Sequence, residues 1–490
     1  MICAQSITPT PSTPSPTSSV VPTLAPECIT IQDVQSDGPS SPFLGQNVVI
    51  CGAFVTRIVG NGFFVQEVIT GATTQSNASS GIFVFDTSSF KATLQEGNQL
   101  NILAEVKEFF GETQLAMDTA TVITGGNHTF DPIVVKLPVT NIDELEQYEG
   151  MVISVQPDIN HTLVVSEYYN FDRYGEVVVC SADEAIGRLY QFTETNVPDP
   201  ATYGSYQASV TASCITIDDN SSTQNPNPPL FGSIYRLNST NFLRGGSEVT
   251  TLIGPLWYSF GKWRVATLDE ADLSYNSKPR EAAPGINADV TISSSNLLNY
   301  FVYTGNNPRG ANSAEEFSRQ AQKAVLALTQ MNTDIVGVQE IGNMPGNEAA
   351  FDLRDRINSS FPSRNYTFAS IEAGLDRIGS DDIKVDVMFD QNKFTFLNSS
   401  ILFDDMIDAD LLNNSTGGSL FDSSRVPLAV TLEVVGGNNE VLTIVVNHFK
   451  SKGCRNSIGL DEDKNDGAGC WNWKRTLSSR ALLAWLSSNP

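Results

Sequence analysis

Asp334-Ile-Val-Gly-Val-Gln-Glu340 reads as a buried β-strand that delivers a carboxylate at its end. Just before it, Ala314–Met331 places Phe317, Ala321, Ala324, Val325, Leu328 and Met331 at helical spacing, so an amphipathic helix is expected there. After it, 348–361 reads as a second helix, and 383–389, 428–435 and 441–447 read as further strands. A short strand is expected at 289–293 and a last helix at 474–487. Alternation of strand and helix places residues 286–490 in a layered α/β class.

Three polar residues fall at strand ends in this segment. Glu340 closes the quoted strand, Asn296 lies in "SSSNLLNYF" near the end of the first strand, and His448 follows the run 441–447. Such ends are where layered α/β proteins gather reactive groups. His448 is one of only three histidines. His128 and His161 both sit in Asn-His-Thr triplets, which are glycosylation acceptors and belong on exposed surface. One carboxylate with neutral oxygen donors is a donor set that a hard cation such as Mg²⁺ accepts.

Composition narrows the setting. The 490 residues carry a net charge of −26, with a pI near 4.4. Such a body repels nucleic acid at long range, so an anionic substrate needs a metal ion or a small basic cluster to capture it. No apolar run approaches the roughly 18 residues needed to span a bilayer. Sequons begin at Asn77, Asn127, Asn160, Asn220, Asn238, Asn358, Asn365, Asn398, Asn413 and Asn414, and with the abundant Ser and Thr they point to a secreted glycoprotein. Seven cysteines without a zinc spacing point to disulfides, with Cys454–Cys470, Cys180–Cys214 and Cys28–Cys51 as the expected pairs and Cys3 left over. Met1-Ile-Cys-Ala-Gln-Ser6 looks like the tail of a signal peptide whose front is missing. No obligate protein partner is evident.

Four segments follow. Residues 1–26 are Ser/Thr/Pro-rich and expected to be disordered. Residues 27–130 show five short β runs with glycines at corners, which suits a small Greek-key barrel. Phe63, Phe64, Phe109 and Phe110 serve there either as core or as a base-stacking platform. Residues 131–285 form a second β-rich domain and linker, and 286–490 the α/β domain.

"ICGAFVTRIVGNGFFVQE", "SSGIFVFD" and "LQEGNQLNILAEVKEFFGETQLA" resemble the OB-fold domains of secreted nucleases. "SSSNLLNYF", "RGANSAEEFSRQAQKAV", "DIVGVQEIGN", "GSDDIKV", "VVNHFKSKGC" and "DGAGCWNWKRTLSSRALLAWL" occur in order and resemble the endonuclease/exonuclease/phosphatase superfamily, in its branch of large secreted nucleases. The resemblance implies a deoxyribonuclease I-like four-layer α/β sandwich and a secreted phosphodiesterase. It would cleave DNA, with RNA as a further substrate, by in-line attack of water. Lipid or sugar phosphodiesters use the same kind of site in related proteins. The implied cofactor is Mg²⁺ or Mn²⁺, with Ca²⁺ in a structural role. By resemblance, Glu340 ligates the metal, Asn296 helps hold metal and phosphate, and His448 flanks the scissile phosphate. Asn447, Lys450 and Lys452 line the phosphate side, Arg309 contacts substrate, and Arg319 contacts substrate or packs. Asp382 and Lys384 match a cleft segment loosely.

Two departures stand out. Where the family has glycine and then a basic residue, this chain has Asp386 and then Met388-Phe-Asp390, and negative charge there is expected to weaken phosphate binding or change which substrate fits. The family also follows its last helix with Gly-Asp-x-Asn and a closing Asp-His. This sequence stops at Pro490, so the catalytic domain is expected to be truncated and the chain feebly active. The alternative is an OB module that binds nucleic acid or glycan beside a degenerate nuclease remnant.

Overall fold

Alternating burial along two long strands, Asn47–Val59 and Gln99–Phe109, closes the first barrel of the molecule. The structure, a computed structural model, describes residues 27–68, 77–126, 128–221, 223–226, 234–238, 240–282, 284–305, 309–415, 417–422 and 424–488. The Ser/Thr/Pro-rich segment 1–26, Cys3 and the sequon at Asn127 lie outside them. The chain divides into two compact units. One takes the described residues up to Leu189 together with Ala208–Lys278, and the other takes Tyr190–Gln207 and the residues from Pro279 on. The second β-rich segment is therefore interrupted. Phe192, Tyr203 and Tyr206 pack together within 190–207, and Asp199 N–H donates to the Asp466 carbonyl (3.1 Å), which ties this stretch to the α/β unit.

In the first unit, β1 (Cys28–Ile29) pairs in parallel with β2 (Asn47–Val59). With β3 (Gly62–Gln66), β4 (Gly81–Phe85), β5 (Gln99–Phe109) and β6 (Glu112–Thr124) the order is β2-β3-β4-β6-β5, and β2–β5 pairing closes the ring. Phe63, Val65, Ile82, Val84, Leu100, Ile102 and Leu115 fill it. The next strands are β7 (Ile133–Leu137), β8 (Val152–Pro157), β9 (His161–Glu167), β10 (Val177–Asp183), β11 (Cys214–Asp218), β12 (Glu248–Ser259), β13 (Lys262–Ala266) and β14 (Leu273–Asn276). Here β9-β10-β11-β13-β12 closes back on β9, with β11–β13 parallel just as β4–β6 is parallel in the first ring. β8 and β9 both run antiparallel to β12, as two halves of one interrupted strand. The two barrels thus repeat one path. In sequence the second barrel shows as a β-rich segment with a hairpin at Gly254–Val265, and its closure is hidden because the helix Pro200–Ser213 and the stretch 219–247 separate its strands. A Cβ on Gly81 would lie 2.3 Å from the Gly150 carbonyl carbon, so the barrels meet backbone to backbone. All three expected disulfides are present, and Cys180–Cys214 joins directly paired residues of β10 and β11.

The second unit is layered. β15 (Ile292–Tyr300), β16 (Ile335–Gly342), β17 (Tyr366–Phe368) and β18 (Ile383–Asp390) form a sheet in the order β15-β16-β18-β17. The helices Ala314–Met331 and Glu348–Ser360 pack on one face through Phe317, Ala321, Leu328, Leu353 and Ile357. Against the other face lies a sheet of β19 (Phe394–Ile401), β20 (Leu428–Val434) and β21 (Val441–Val446). The helix Asn472–Ser488 joins that cluster through Leu477, Ala481 and Trp485, giving four layers. β15 begins at Ile292 and runs through Asn296, later than the expected 289–293, because its polar serines conceal a strand already paired with β16.

Two surface expectations need correction. His128 stacks on Phe54 with centroids 4.2 Å apart and is half-buried. The Asn358 amide donates to the Tyr366 carbonyl (2.9 Å) and accepts from its N–H (2.8 Å), so this sequon is occupied as a structural clamp.

Carboxylates where the barrels meet set a pH dependence. Burial pushes the pKa of Glu112 and Glu149 well up, helped by their neighbours Glu108 and Glu112 respectively, and raises Glu146 and Glu67 to about 7. A carboxyl whose pKa is raised by folding keeps a proton that the unfolded chain releases. Stability is therefore fullest below the ordinary carboxylate range and falls as pH rises through the folded pKa. Glu149→Gln keeps an acceptor for the Thr113 N–H. This variant should gain stability relative to wild type at pH 8 and not at pH 4.5, as read from calorimetric midpoints. An equal shift at both pH values would contradict the assignment.

Candidate active site

The site begins as a disturbance in the pairing of β15, β16 and β18. Asn296 faces Gln339 and Tyr300 faces Ile341, so three residues of β15 oppose the single Glu340. On the other edge, Val338 faces Asp386 and Ile341 faces Lys384, so β16 bulges there as well. Leu298, Asn299 and Glu340 adopt φ of 55°, 54° and 60°. L-residues avoid that region at about 1–2 kcal/mol each, and such outliers gather at functional sites. The Asn299 N–H donates to Glu340 Oε2 (3.1 Å) and fixes the carboxylate.

The second sheet supplies the facing group. β21 packs close to β16 because Gly337 has no side chain: a Cβ there would lie 3.1 Å from Val446 Cγ2. Two residues past Val446, His448 sets its Nε2 3.5 Å from Glu340 Oε1. Arg425 Nε donates to His448 Nδ1 (3.2 Å), and its other arm donates to the Phe449 carbonyl (3.0 Å). A guanidinium can only donate. Nδ1 is therefore the acceptor, and in the neutral ring the proton sits on Nε2, toward Glu340. Burial lowers the His448 pKa and the Arg425 cation lowers it further, while Glu340 and Asp381 oppose this. The ring is neutral at pH 7. Asp381 holds Arg309 (2.8 Å) and Arg425 (3.6 Å), so a polar chain runs from Arg309 to Glu340.

Other residues named from sequence fall in different places. Asn296 is exposed, and its Oδ1 accepts from the Leu298 N–H (2.9 Å) inside the bulge. Asn447 Oδ1 and Asn299 Oδ1 are buried without a hydrogen-bond partner. The Lys450 ammonium lies 5.1 Å over the Trp471 ring, and exposed Lys452 donates to Thr193 Oγ1 (3.3 Å). Neither lysine is ion-paired with the carboxylate cluster. Arg319 is exposed on its helix, and Asp382 is exposed with the Arg377 guanidinium at 4.0 Å. The carboxylate of this loosely matching segment that meets Arg309 and Arg425 is the neighbouring Asp381.

The expected harm from Asp386 and Asp390 is not borne out. Asp386 is fully buried and accepts from Ser370 Oγ (2.5 Å), with fully buried Lys384 at 3.3 Å, while Asp390 holds Arg364 (3.0 Å). Both charges are matched inside the core. Asp381, Arg425 and Asn299 were the residues missed. Arg425 stands in "SSRVPLAV" with nothing in the sequence to mark it, and Asn299 is the second asparagine of a pair of which only the first was chosen.

Apart from His448 Nε2, which carries a proton toward Glu340, the candidate ligands Glu340, Asn296, Asn299 and Asn447 offer oxygen, and the side-chain oxygens of Asn299 and Asn447 are buried without partners, which fits Mg²⁺ or Mn²⁺. Among the described residues, the one group of three His/Cys/Asp/Glu atoms close enough to hold a metal is Cys454, Asp463 and Cys470, and its cysteines are joined as a disulfide.

No family model and no curated protein matches the chain. It is similar to solved structures. Humanized TDP2 from D. rerio is 15% identical, with 41% of this chain and 57% of that one covered and a TM-score of 0.23. The human Nocturnin catalytic domain is 19% identical, with 35% and 51% covered and a TM-score of 0.21. An endonuclease/exonuclease/phosphatase family protein from Bacteroides thetaiotaomicron is 15% identical, with 32% and 47% covered and a TM-score of 0.20. The chain spans about half the length of each.

Arg425→Met removes the cation beside His448 and leaves the ring half-buried. The His448 pKa should rise in an NMR titration, where only three imidazole signals compete. An unmoved His448 titration would contradict the assigned contact.

Proposed function

We propose that the second unit is a metal-dependent phosphodiester hydrolase of the endonuclease/exonuclease/phosphatase superfamily, in a secreted protein whose two barrels are of the OB kind. DNA is the substrate we assign, with RNA as a second. The observation that carries this reading is the strained Glu340 carboxylate facing a histidine whose proton-bearing nitrogen is fixed by Arg425.

Each residue then has a task. Glu340, with Asn296 and the unpartnered oxygens of Asn299 or Asn447, would hold Mg²⁺ or Mn²⁺. The bound ion would neutralise charge on the phosphoryl oxygens. His448 Nε2–H donates to a phosphoryl or leaving oxygen, where a preplaced donor is worth most as negative charge develops. Arg425 keeps that proton aimed, and Asp381 keeps Arg425 in place. Arg309, with a side chain 38% exposed, supplies cationic surface in a chain that is otherwise acidic.

Purified protein should nick plasmid DNA with Mg²⁺. Glu340→Gln and His448→Ala should each lower that rate by about 10²-fold or more while leaving the circular dichroism spectrum unchanged. Mn²⁺ should broaden the His448 NMR signals in wild type and not in Glu340→Gln. Unchanged nicking in both variants, or Mn²⁺ broadening that survives Glu340→Gln, would overturn the proposal.

A further inference from the structure

Strand β16 carries a second polar residue three positions beyond Glu340. Asn343 is 1% exposed, and its amide is engaged by a single loop. Its Nδ2 donates to the carbonyls of Ile378 (2.8 Å) and Asp381 (2.8 Å) and reaches that of Gly379 at 3.4 Å. Its Oδ1 accepts from the Ile378 N–H (2.9 Å), and its own backbone N–H donates to the Asp382 carbonyl (2.7 Å). A planar amide with two donors and one acceptor oxygen matches this set of backbone groups. An aspartate of the same shape would turn a carboxylate oxygen toward the carbonyls and lose both donors.

The loop 378–382 is the one that carries Asp381. Asp381 Oδ1 accepts from Arg309 Nη1 (2.8 Å) and from the Ile383 N–H (3.2 Å), and Oδ2 lies 3.6 Å from Arg425 Nη1. Arg425 Nε donates in turn to His448 Nδ1 (3.2 Å). The loop also bears on the chain around Arg425. Gly379 has φ of 70°, and a Cβ there would lie 3.1 Å from Cγ2 of Val426. Ser380 Oγ donates to the Asp422 carbonyl. The end of β16 thus acts on both sides of the site: it presents Glu340 directly, and it reaches His448 through Asn343, the loop, Asp381 and Arg425.

We infer that Asn343 is a positioning residue for His448: by fixing the loop 378–382 it holds Asp381 against Arg425, and so keeps the imidazole in the tautomer whose proton faces Glu340. A guanidinium released from Asp381 is free to turn away from Nδ1. The neutral ring then divides between its two tautomers, and only one of them presents Nε2–H. Asn358 supplies the contrast. It clamps the Tyr366 backbone with the same kind of amide pair, but Tyr366 lies on β17, which β18 separates from β16. The inference rests on the hydrolase reading only for its effect on rate. The tautomer can be read whether or not the protein cleaves anything.

The test is long-range ¹H–¹⁵N NMR of the three imidazoles at pH 7.5, with His448→Ala to assign the signal. Wild-type His448 should show a bare Nδ1 and a protonated Nε2. Asn343→Asp should give averaged ¹⁵N shifts, and its kcat for plasmid nicking should fall about 10-fold or more with KM little changed. Asn358→Asp should lower the melting temperature through a lost buried hydrogen bond and leave the His448 pattern as in wild type. Should Asn343→Asp fail to fold, Gly379→Ala strains the same loop at its positive φ and against Val426, and should average the tautomers in the same way. A folded loop variant with the wild-type His448 pattern, or equal averaging in Asn358→Asp, would overturn the inference. Averaging in Asn343→Asp alone, in a protein whose wild type does not nick DNA, supports the positioning and overturns the hydrolase reading instead.

Discussion

The approach of β21 to β16 across a side-chain-free Gly337 is the constraint on which the catalytic reading depends. Val446 can sit against β16 only because no Cβ occupies that point, and His448 follows it by two residues. One sheet brings a carboxylate to its end and the other brings an imidazole. Any wider spacing would take Nε2 beyond reach of Glu340. The bulge that swings Glu340 out of the ladder works with this packing, since a regular strand would turn consecutive side chains to opposite faces.

Electrostatics then finishes what packing begins. The protein carries a large negative charge, yet around His448 the cations Arg425 and Arg309 balance the carboxylates Asp381 and Glu340. Arg425 does two things with one side chain: it accounts for His448 Nδ1 and it helps hold the ring neutral. The carboxylates that looked harmful in sequence are neutralised in the core, by Lys384 for Asp386 and by Arg364 for Asp390. Local charge at the site is thus decoupled from charge along the chain.

Sequence periodicity showed the layered unit well. The run 334–340 and the helix Ala314–Met331 have strong patterns, and their observed bounds, Ile335–Gly342 and Ala314–Met331, follow them closely. Glu340 and His448 could be named because both end such runs. Arg425 could not, because its role comes from a contact 23 residues away in sequence that no local pattern encodes. Asp381 and Asp382 are equivalent until the strand register decides between them. The duplicated barrel was hidden for a similar reason: closure depends on β9–β12 and β11–β13 pairings across long intervening stretches. In the first barrel Phe63 and Phe64 are both fully buried, Phe63 in the barrel core and Phe64 in a smaller cluster with Val59 and Phe83, whereas Phe109 and Phe110 are exposed, a division that alternation alone left open.

The central claim is that Glu340 and its neighbouring oxygens form a hard-cation site facing His448. Crystals soaked in Mn²⁺ and measured at the manganese absorption edge test it most directly. The account predicts an anomalous peak within about 2.0–2.2 Å of a Glu340 carboxylate oxygen, with His448 Nε2 outside the coordination shell. Manganese bound elsewhere with none at Glu340, or manganese ligated by His448 Nε2, would contradict it.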